Sequence, residues 1–309
     1  MQVTKNSLGY CLLAILATTL WGSAFAGAKI GFEYMPPIML SGVRFTLAGL
    51  LLVPMIFLMR ISWRENMQHL KFMLLFGFIQ TFLQYGIFFM GLNLVPGAIS
   101  AIIIGAGPLF TAVLAHFTLH NDKFTGRKVF AVLLGVAGVI FISLSGSSME
   151  NTSEHFFGGV GLLILSNIIG SYTNIMVVKR KSSHISPVFL TMFANFTGGV
   201  MLLITGLTVE PLEAIISPLP TEFYFALLWL AIIPAGGFSI WYYLLSRPGV
   251  KVSELNVWKF LIPLVGVVLS WWLLPGESPS WSVAIGIAII LCSVVVLQIP
   301  FSLSKKKNL

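Results

Sequence analysis

The sequence predicts an all-α membrane protein of ten transmembrane helices, built as two inverted five-helix repeats with both termini in the cytoplasm. Three observations carry this prediction: composition, the spacing of apolar runs and basic residues, and an internal repeat. The chain is 57% hydrophobic and only 9% charged, whereas soluble domains carry about 25% charged residues. Since so apolar a chain cannot cover a surface that faces water, we expect a multi-pass protein of the cell (inner) membrane.

Apolar runs long enough to span a bilayer, about 20 residues each, follow one another along the chain. Most of the connections between them are short and marked by proline, glycine or charge, as in "NLVPG" and "LPGESPS". The predicted spans are 8–29, 37–59, 70–92, 96–118, 127–145, 157–178, 186–207, 222–245, 252–274 and 281–301.

Basic residues decide the predicted orientation. All of the 18 lysines and arginines except Lys29, Arg44 and Lys259 lie near the termini or in and beside the connections after predicted helices 2, 4, 6 and 8. The alternate connections carry glutamate and no basic residue. Because cytoplasmic loops are enriched in lysine and arginine, this pattern places both termini in the cytoplasm. The formal charge of +8 therefore reflects membrane topology, and we expect no nucleic-acid partner.

An internal repeat relates the two halves of the chain. A displacement of 155 residues aligns them without a gap from about residue 85 onward and sets Pro108 on Pro263, while a displacement of 150 sets Pro37 on Pro187. A unit of five helices is odd, so the second copy enters the membrane from the opposite side. Inverted repeats are typical of secondary transporters, whose substrate site lies near the bilayer midplane between the repeats.

The repeat also suggests a division of the chain into domains. We predict a first repeat at 1–146, an outer connecting loop at 147–156, a second repeat at 157–303 and a basic cytoplasmic tail at 304–309.

Several segments resemble the EamA-type repeat of the drug/metabolite transporter superfamily. They are "LWGSAFAGAKI", "SGVRFTLAGLLLVP" and "GPLFTAVLAHFTLHNDKFTGRKVFAVLLGVAGVIFI" in the first half and "IPLVGVVLSWWLLPGESPSWSVAIGIAIILCSVVVL" in the second. The resemblance covers nearly the whole chain. It implies a central cavity surrounded by helices 1–4 and 6–9, with helices 5 and 10 at the periphery. Similar members move amino acids, other small metabolites or amphipathic organic compounds, often outward.

Lys259 is the first candidate for substrate binding. A charge at the bilayer centre costs roughly 2.5–3.5 kcal/mol on insertion scales, so it calls for a function. Its partner in the first repeat is Ile104, which means that the fold itself does not need the charge. Asn256 lies one turn earlier, and Pro263, one turn later, loosens the helix, so the group suits a carboxylate. The alternative is that Lys259 reaches the cytoplasmic interface, because helical side chains lean toward the helix N-terminus.

Arg44 is a second charge, about seven residues inside predicted helix 2. It is interpreted either as an anion clamp or as a side chain that extends outward or bonds nearby carbonyls. The resemblance implies a structural or gating role for Arg44, and the helix-breaking prolines Pro108 and Pro263 are expected to act in the same way. The remaining substrate-binding candidates are polar or aromatic residues within the spans: Trp21, Ser23, Gln84, Tyr85, Tyr172, Asn174, Trp241 and Trp258.

The functional prediction is an alternating-access transporter that moves small metabolites outward, with amino acids or related carboxylates as expected substrates. One alternative is an exporter of hydrophobic or drug-like compounds, and another is a non-transporting membrane scaffold, which predicts a filled core. We expect no enzyme activity, because the spans hold no acid–base pair, and no cofactor or metal. Cys11 and Cys292 fall in apolar segments, so no disulfide framework is expected. The expected partners are a small-molecule substrate and lipid, with no required protein partner; monomer and dimer both remain open.

Overall fold

The computed structural model describes residues 7–119, 126–146, 155–180, 184–211, 213, 215, 218–247, 250 and 252–298. Within these ranges the protein is all helical and contains no strand. The helices are α1 Ser7–Phe32, α2 Pro37–Leu58, α3 Leu70–Leu94, α4 Gly97–Thr118, α5 Gly126–Gly146, α6 Phe156–Lys179, α7 Pro187–Val209, α8 Thr221–Leu245, α9 at 252–273 and α10 Trp281–Gln298. A short helix, Trp63–Met67, precedes α3.

Seven of the described helices, α1–α4 and α6–α8, are long and apolar enough to cross a membrane. Shorter apolar helices, Leu261–Leu273 and Trp281–Ser293, lie in α9 and α10. The predicted multi-pass membrane protein is therefore confirmed. The count of ten spans, the inverted arrangement and the side on which the termini lie stay predictions.

Prolines begin several of these helices. Pro37 and Pro187 occupy the first turns of α2 and α7, and Pro220 directly precedes α8. The first turn has no intrahelical use for a backbone N–H, so a proline there costs nothing and sets a helical φ.

Helices α2 and α7 pack closely against each other and run antiparallel. Gly42 of α2 faces the backbone of Leu203, and Gly199 of α7 faces Thr46, so that a Cβ atom at either glycine would overlap the opposite helix. Small residues at such positions allow membrane helices to approach and to gain van der Waals contact where the hydrophobic effect gives little.

Polar side chains cap three helix starts across the bundle. The Glu210 carboxylate, just after α7, accepts backbone N–H bonds from Ile38 and Met39 of α2 at 2.8 and 2.7 Å. The Glu277 carboxylate, between α9 and α10, accepts them from Gly97 and Ala98 of α4 at 2.6 and 2.9 Å. The Asn66 side-chain oxygen accepts one from Ser186, at the start of α7, at 2.8 Å. These bonds satisfy donors that a helix leaves free at its N-terminus and tie distant segments together.

The remaining packing places a cavity among seven helices. Helix α1 packs on α8 and α9, α3 packs on α6, and α4 packs on α6 and α9. Helix α5 packs chiefly against α10. Among the described residues, those that line the cavity belong to α1–α4, α6, α8 and α9, and none belongs to α5 or α10.

Candidate functional site

The cavity lies among these seven helices and is partly open to solvent. One side is aromatic, one side is polar, and two cationic side chains reach it. Of the candidate residues singled out in the sequence, it brings together six: Trp21, Arg44, Gln84, Tyr85, Asn174 and Lys259.

The aromatic side is formed by α1, α3 and α8. Phe238 lies at its centre, with ring centroids 5.3 Å from Trp21, 5.9 Å from Tyr85 and 5.5 Å from Tyr242. The first two pairs are tilted or edge-on and the third is stacked, geometries that aromatic pairs prefer. Because each ring is held by its neighbours, this side forms a firm surface against which an apolar group can pack.

The polar side comes from α6, which faces the point where α4 is interrupted. Helix α4 breaks at Ala106, just before Pro108, which has no N–H to offer the preceding turn. The Asn167 side-chain amide donates to the Ile103 carbonyl at 2.7 Å, and the Thr111 hydroxyl bonds Ser171 at 3.0 Å. Side chains of α6 thus bind groups beside the break, which allows irregular backbone to persist inside an apolar bundle.

Helix α9 is irregular at the matching place. Its segment Val257–Phe260 is 3₁₀, and Pro263 follows within the next α-helical turn. Pro263 packs against Gly105, where a Cβ atom would come within 2.5 Å of the proline ring. The two repeat-related prolines thus both follow closely on a departure from α-helical geometry, and the irregular segments of α4 and α9 lie side by side.

Lys259 extends from the 3₁₀ segment of α9 into the cavity. Its Nζ atom lies 5.1 Å from the ring centroid of Trp241 and 5.6 Å from that of Trp21, within the range of cation–π attraction. Among the residues that the structure describes, no carboxylate pairs with Nζ and no acceptor bonds it. The side chain is therefore held by aromatic faces, and its N–H groups remain available to a ligand.

Asn256 lies behind the cavity surface rather than on it. Its side-chain oxygen accepts a bond of 3.5 Å from Asn174, and its amide donates to the Val252 carbonyl at 2.8 Å. Asn174 in turn accepts a bond of 3.1 Å from the indole N–H of Trp241. This buried chain fixes Asn174, which lines the cavity, and Trp241, which lies against Lys259.

Arg44 of α2 is 2% exposed and also lines the cavity. The central carbon of its guanidinium lies 4.7 Å from the ring centroid of Phe45, 5.0 Å from that of Phe89 and 6.0 Å from that of Tyr85. Its Nε and Nη1 atoms have no hydrogen-bond partner among the described residues. Lys29, by contrast, donates to the Asn93 carbonyl at 3.4 Å.

Three other candidates lie away from the cavity. The Ser23 hydroxyl donates to the Leu20 carbonyl at 2.8 Å and accepts from the Trp229 indole at 3.0 Å. Tyr172 is 44% exposed on the outside of α6. Trp258 packs against a core cluster that α8 and the start of α9 help to form. Trp229 and Tyr172 are aromatic residues on the outer face of the bundle, where contact with lipid is the ordinary role.

Sequence reasoning missed several lining residues, among them Phe238, Tyr242 and Asn167. Helical spacing was the available indication. Asn167 and Ser171 share one face of α6 with Asn174, and Phe238 and Tyr242 are one turn apart on α8. Ile104, the repeat partner of Lys259, also lines the cavity.

Comparison with known proteins identifies the class. The EamA-like transporter family matches residues 8–144 and again 157–299. Because these two matches cover most of the chain, the protein belongs to the EamA-like transporter family.

Individual relatives agree with this class. An uncharacterized transporter of Bacillus subtilis (strain 168) is 23% identical over 95% of this chain and 98% of its own. A probable amino-acid metabolite efflux pump of Escherichia coli (strain K12) is 26% identical over 83% of this chain and 84% of its own. One solved crystal structure, 20% identical, superposes with a TM-score of 0.73 and covers 94% of this chain and 97% of its own, which shows a shared fold.

Proposed function

We propose that this protein is a secondary transporter that moves small organic acids, amino acids or related carboxylates outward through the cavity by alternating access. One observation carries the proposal: the Lys259 ammonium lines the cavity with aromatic rings around it and no carboxylate beside it among the described residues. An ammonium taken from water without a counter-charge is costly. A carboxylate ligand offsets that cost, and this gives the cavity its affinity for anions.

The remainder of the cavity suits a small, partly apolar body. Trp21, Phe238 and Tyr242 offer ring faces, while Asn174 and Gln84 offer amide groups. Ligand sites commonly combine such apolar walls with a few placed polar groups. The Gln84 side-chain oxygen is buried and has no hydrogen-bond partner among the described residues, so its acceptor capacity is unused.

Alternating access is supported by where the helix breaks lie. The interrupted segments of α4 and α9 adjoin the cavity and derive from matching positions in the predicted repeats. In secondary transporters, substrate sites form at such discontinuous helices near the interface of the repeats. The outward direction is taken from the relative that is named an efflux pump.

The alternative functions predict cavities of different kinds. A non-transporting scaffold requires a filled core, whereas this bundle encloses a lined space. An exporter of hydrophobic or drug-like compounds would use the aromatic wall, but it would have no need of a cation in that wall.

The test is transport by purified protein in liposomes. Vesicles preloaded with a single solute would be compared across monocarboxylates, dicarboxylates, amino acids and lipophilic cations, with the Lys259→Gln variant alongside. We expect saturable exchange of carboxylates and at least a tenfold loss of affinity in the variant, which is about 1.4 kcal/mol.

The matched control is Arg64→Gln, which removes one positive charge from an exposed position outside the cavity. Its affinity should equal that of the unaltered protein. Carboxylate exchange that survives Lys259→Gln unchanged would overturn the anion-site proposal, and exchange of lipophilic cations alone would favour the drug exporter.

A further inference from the structure

Two cations from different halves of the chain reach the same cavity. Arg44 comes from α2 and Lys259 from α9, and both line the space. A row of ring contacts separates them. It runs from Arg44 to Tyr85 at 6.0 Å, from Tyr85 to Phe238 at 5.9 Å, from Phe238 to Trp21 at 5.3 Å and from Trp21 to Lys259 at 5.6 Å. Three aromatic rings in successive contact, Tyr85, Phe238 and Trp21, therefore connect the two cations.

No described acidic residue balances this pair. The described residues that line the cavity include no aspartate and no glutamate. Glu210 and Glu277, two carboxylates of the connecting segments, accept backbone N–H bonds from the starts of α2 and α4. Each cation is thus held in a weakly polar space without a counter-charge among the described residues, which is electrostatically costly for the cavity without a ligand.

The aromatic neighbours of Arg44 attract its charge but leave several of its hydrogen-bond donors without an acceptor in the part of the chain that the structure describes. Rings over the face of a guanidinium attract its charge, but its five N–H donors point outward in the plane of the group. In Arg44 the donors on Nε and Nη1 have no partner among the described residues. Such planar donors match the two oxygens of a carboxylate. If an arginine inside a membrane bundle had a purely structural role, these N–H groups would be expected to donate hydrogen bonds to backbone carbonyls.

We infer that Arg44 is a second anion-binding group, and that the cavity selects organic acids with two acidic groups, one placed at Arg44 and the other at Lys259. The chain that joins the two groups packs along Tyr85, Phe238 and Trp21. This inference rests on the proposed transport function and narrows its substrate class. A neutral amino acid is a poorer ligand, because its ammonium would lie near a cation at either end.

The test measures binding, so that it does not depend on turnover. Detergent-purified protein is heated with increasing concentrations of unbranched dicarboxylates of four to seven carbons, and with the monocarboxylate of each length, at one ionic strength. Ligands that bind the folded state raise the unfolding temperature according to their affinity. We expect at least one dicarboxylate to bind tenfold or more tightly than its matched monocarboxylate, with an optimum chain length set by the distance between the cations.

Variants of Arg44 then test whether this residue binds the second carboxylate of the ligand. Arg44→Gln should lower dicarboxylate affinity at least tenfold, to the level of the monocarboxylate, and change monocarboxylate affinity less than threefold. Arg44→Lys, which keeps the charge but loses the planar donors, should retain part of the preference. Arg64→Gln, at an exposed site outside the cavity, should retain all of it.

The outcomes separate the two proposals. Monocarboxylates that bind as tightly as dicarboxylates in the unaltered protein overturn the inference without any variant, and so does a full dicarboxylate preference in Arg44→Gln. If monocarboxylates bind through Lys259 in either case, the proposed transport of carboxylates stands. If neither class binds, the proposed function and the inference fall together. Should Arg44→Gln fail to fold, the unaltered protein and Arg44→Lys still decide.

Discussion

At the scale of single residues, Trp21 connects the two features on which the cavity depends. The centroid of its ring lies 5.1 Å from that of Trp241, and the ring also contacts the Lys259 ammonium. Trp21 therefore belongs both to the aromatic side of the cavity and to the pair of rings that hold Lys259. Its indole N–H is buried and has no partner among the described residues. The ring is positioned by Gly237 of α8, which leaves no room for a side chain beside it.

Gly237→Ala is expected to displace Trp21 and to weaken binding. The added Cβ atom would lie 2.7 Å from the indole nitrogen, closer than such atoms approach, and overpacking of this kind costs about 1–3 kcal/mol. Because the displaced ring would no longer lie against Lys259, we expect carboxylate affinity to fall about tenfold, which corresponds to about 1.4 kcal/mol. The measurement is the same thermal titration with dicarboxylates.

The neighbouring residue supplies the matched control for this change. A Cβ atom at Gly236 would meet Leu20 at 3.7 Å, an ordinary contact, so Gly236→Ala should leave affinity unchanged. Equal losses in the two variants would show that α8, and not the position of Trp21, is sensitive to alanine.

At the scale of helices, the relative positions of the helices depend on hydrogen bonds between segments that are far apart in sequence. Glu277 follows α9 and caps the start of α4, 180 residues earlier along the chain. The carboxylate accepts two N–H bonds and lies at the positive end of the α4 dipole. Because α4 carries the break at Ala106, the position of its first half relative to α9 shapes the cavity.

Glu277→Gln should destabilise the protein by about 0.5–2 kcal/mol, the range found when helix caps are removed. The amide keeps only one acceptor oxygen and loses the charge, while its NH₂ group faces the backbone donors. The expected reading is a fall of about 2–4 °C in the unfolding midpoint of the purified protein.

Glu213→Gln removes the same charge from an exposed residue in the segment between α7 and α8, for which no hydrogen bond is described. Its midpoint should stay within error of the unaltered protein. If both variants lose stability equally, net charge rather than the cap accounts for the effect.

At the scale of the whole molecule, the cavity is a joint product of both halves of the chain. Arg44 and Tyr85 come from the first match to the family, while Asn174, Phe238 and Lys259 come from the second. Neither half alone presents two cations and a continuous aromatic wall. The opposite orientation of the two halves in the membrane stays a prediction from the sequence.

Labelling of single cysteines tests that orientation. With Cys11 and Cys292 replaced by serine, Gln68→Cys lies after α2 and Glu213→Cys after α7, both at exposed positions. A membrane-impermeant maleimide should label Glu213→Cys in intact cells and Gln68→Cys only in permeabilised cells. The reason is that five predicted spans separate the two sites.

Two other patterns are informative. Labelling of both sites on the same side would mean that one of the helices α3–α7 does not cross the membrane. The reverse of the expected pattern would place both termini outside.

Much of the molecule could be predicted from the order of residues, because lipid imposes simple rules on a chain. Apolar runs of about 20 residues mark helices, and buried charges such as Lys259 and Arg44 stand out against them. The repeat and the family resemblance followed from the same linear pattern. These are local properties or comparisons along the chain, and they need no knowledge of which helix faces which.

The composition of the cavity was decided only by the tertiary structure. Ser23 and Tyr172 are as polar as Asn174 in sequence, yet only Asn174 faces inward, because helix rotation depends on packing against several neighbours at once. Asn256, a predicted substrate contact, is not among the residues that line the cavity, and its side-chain oxygen accepts a bond from Asn174. Arg44 and Lys259 lie 215 positions apart in the sequence. Only the tertiary structure shows that they line the same cavity and that no described acidic residue lines it with them. Sequence alone determined that this chain is a membrane protein and a transporter of its family; packing of the helices determined which side chains line the cavity.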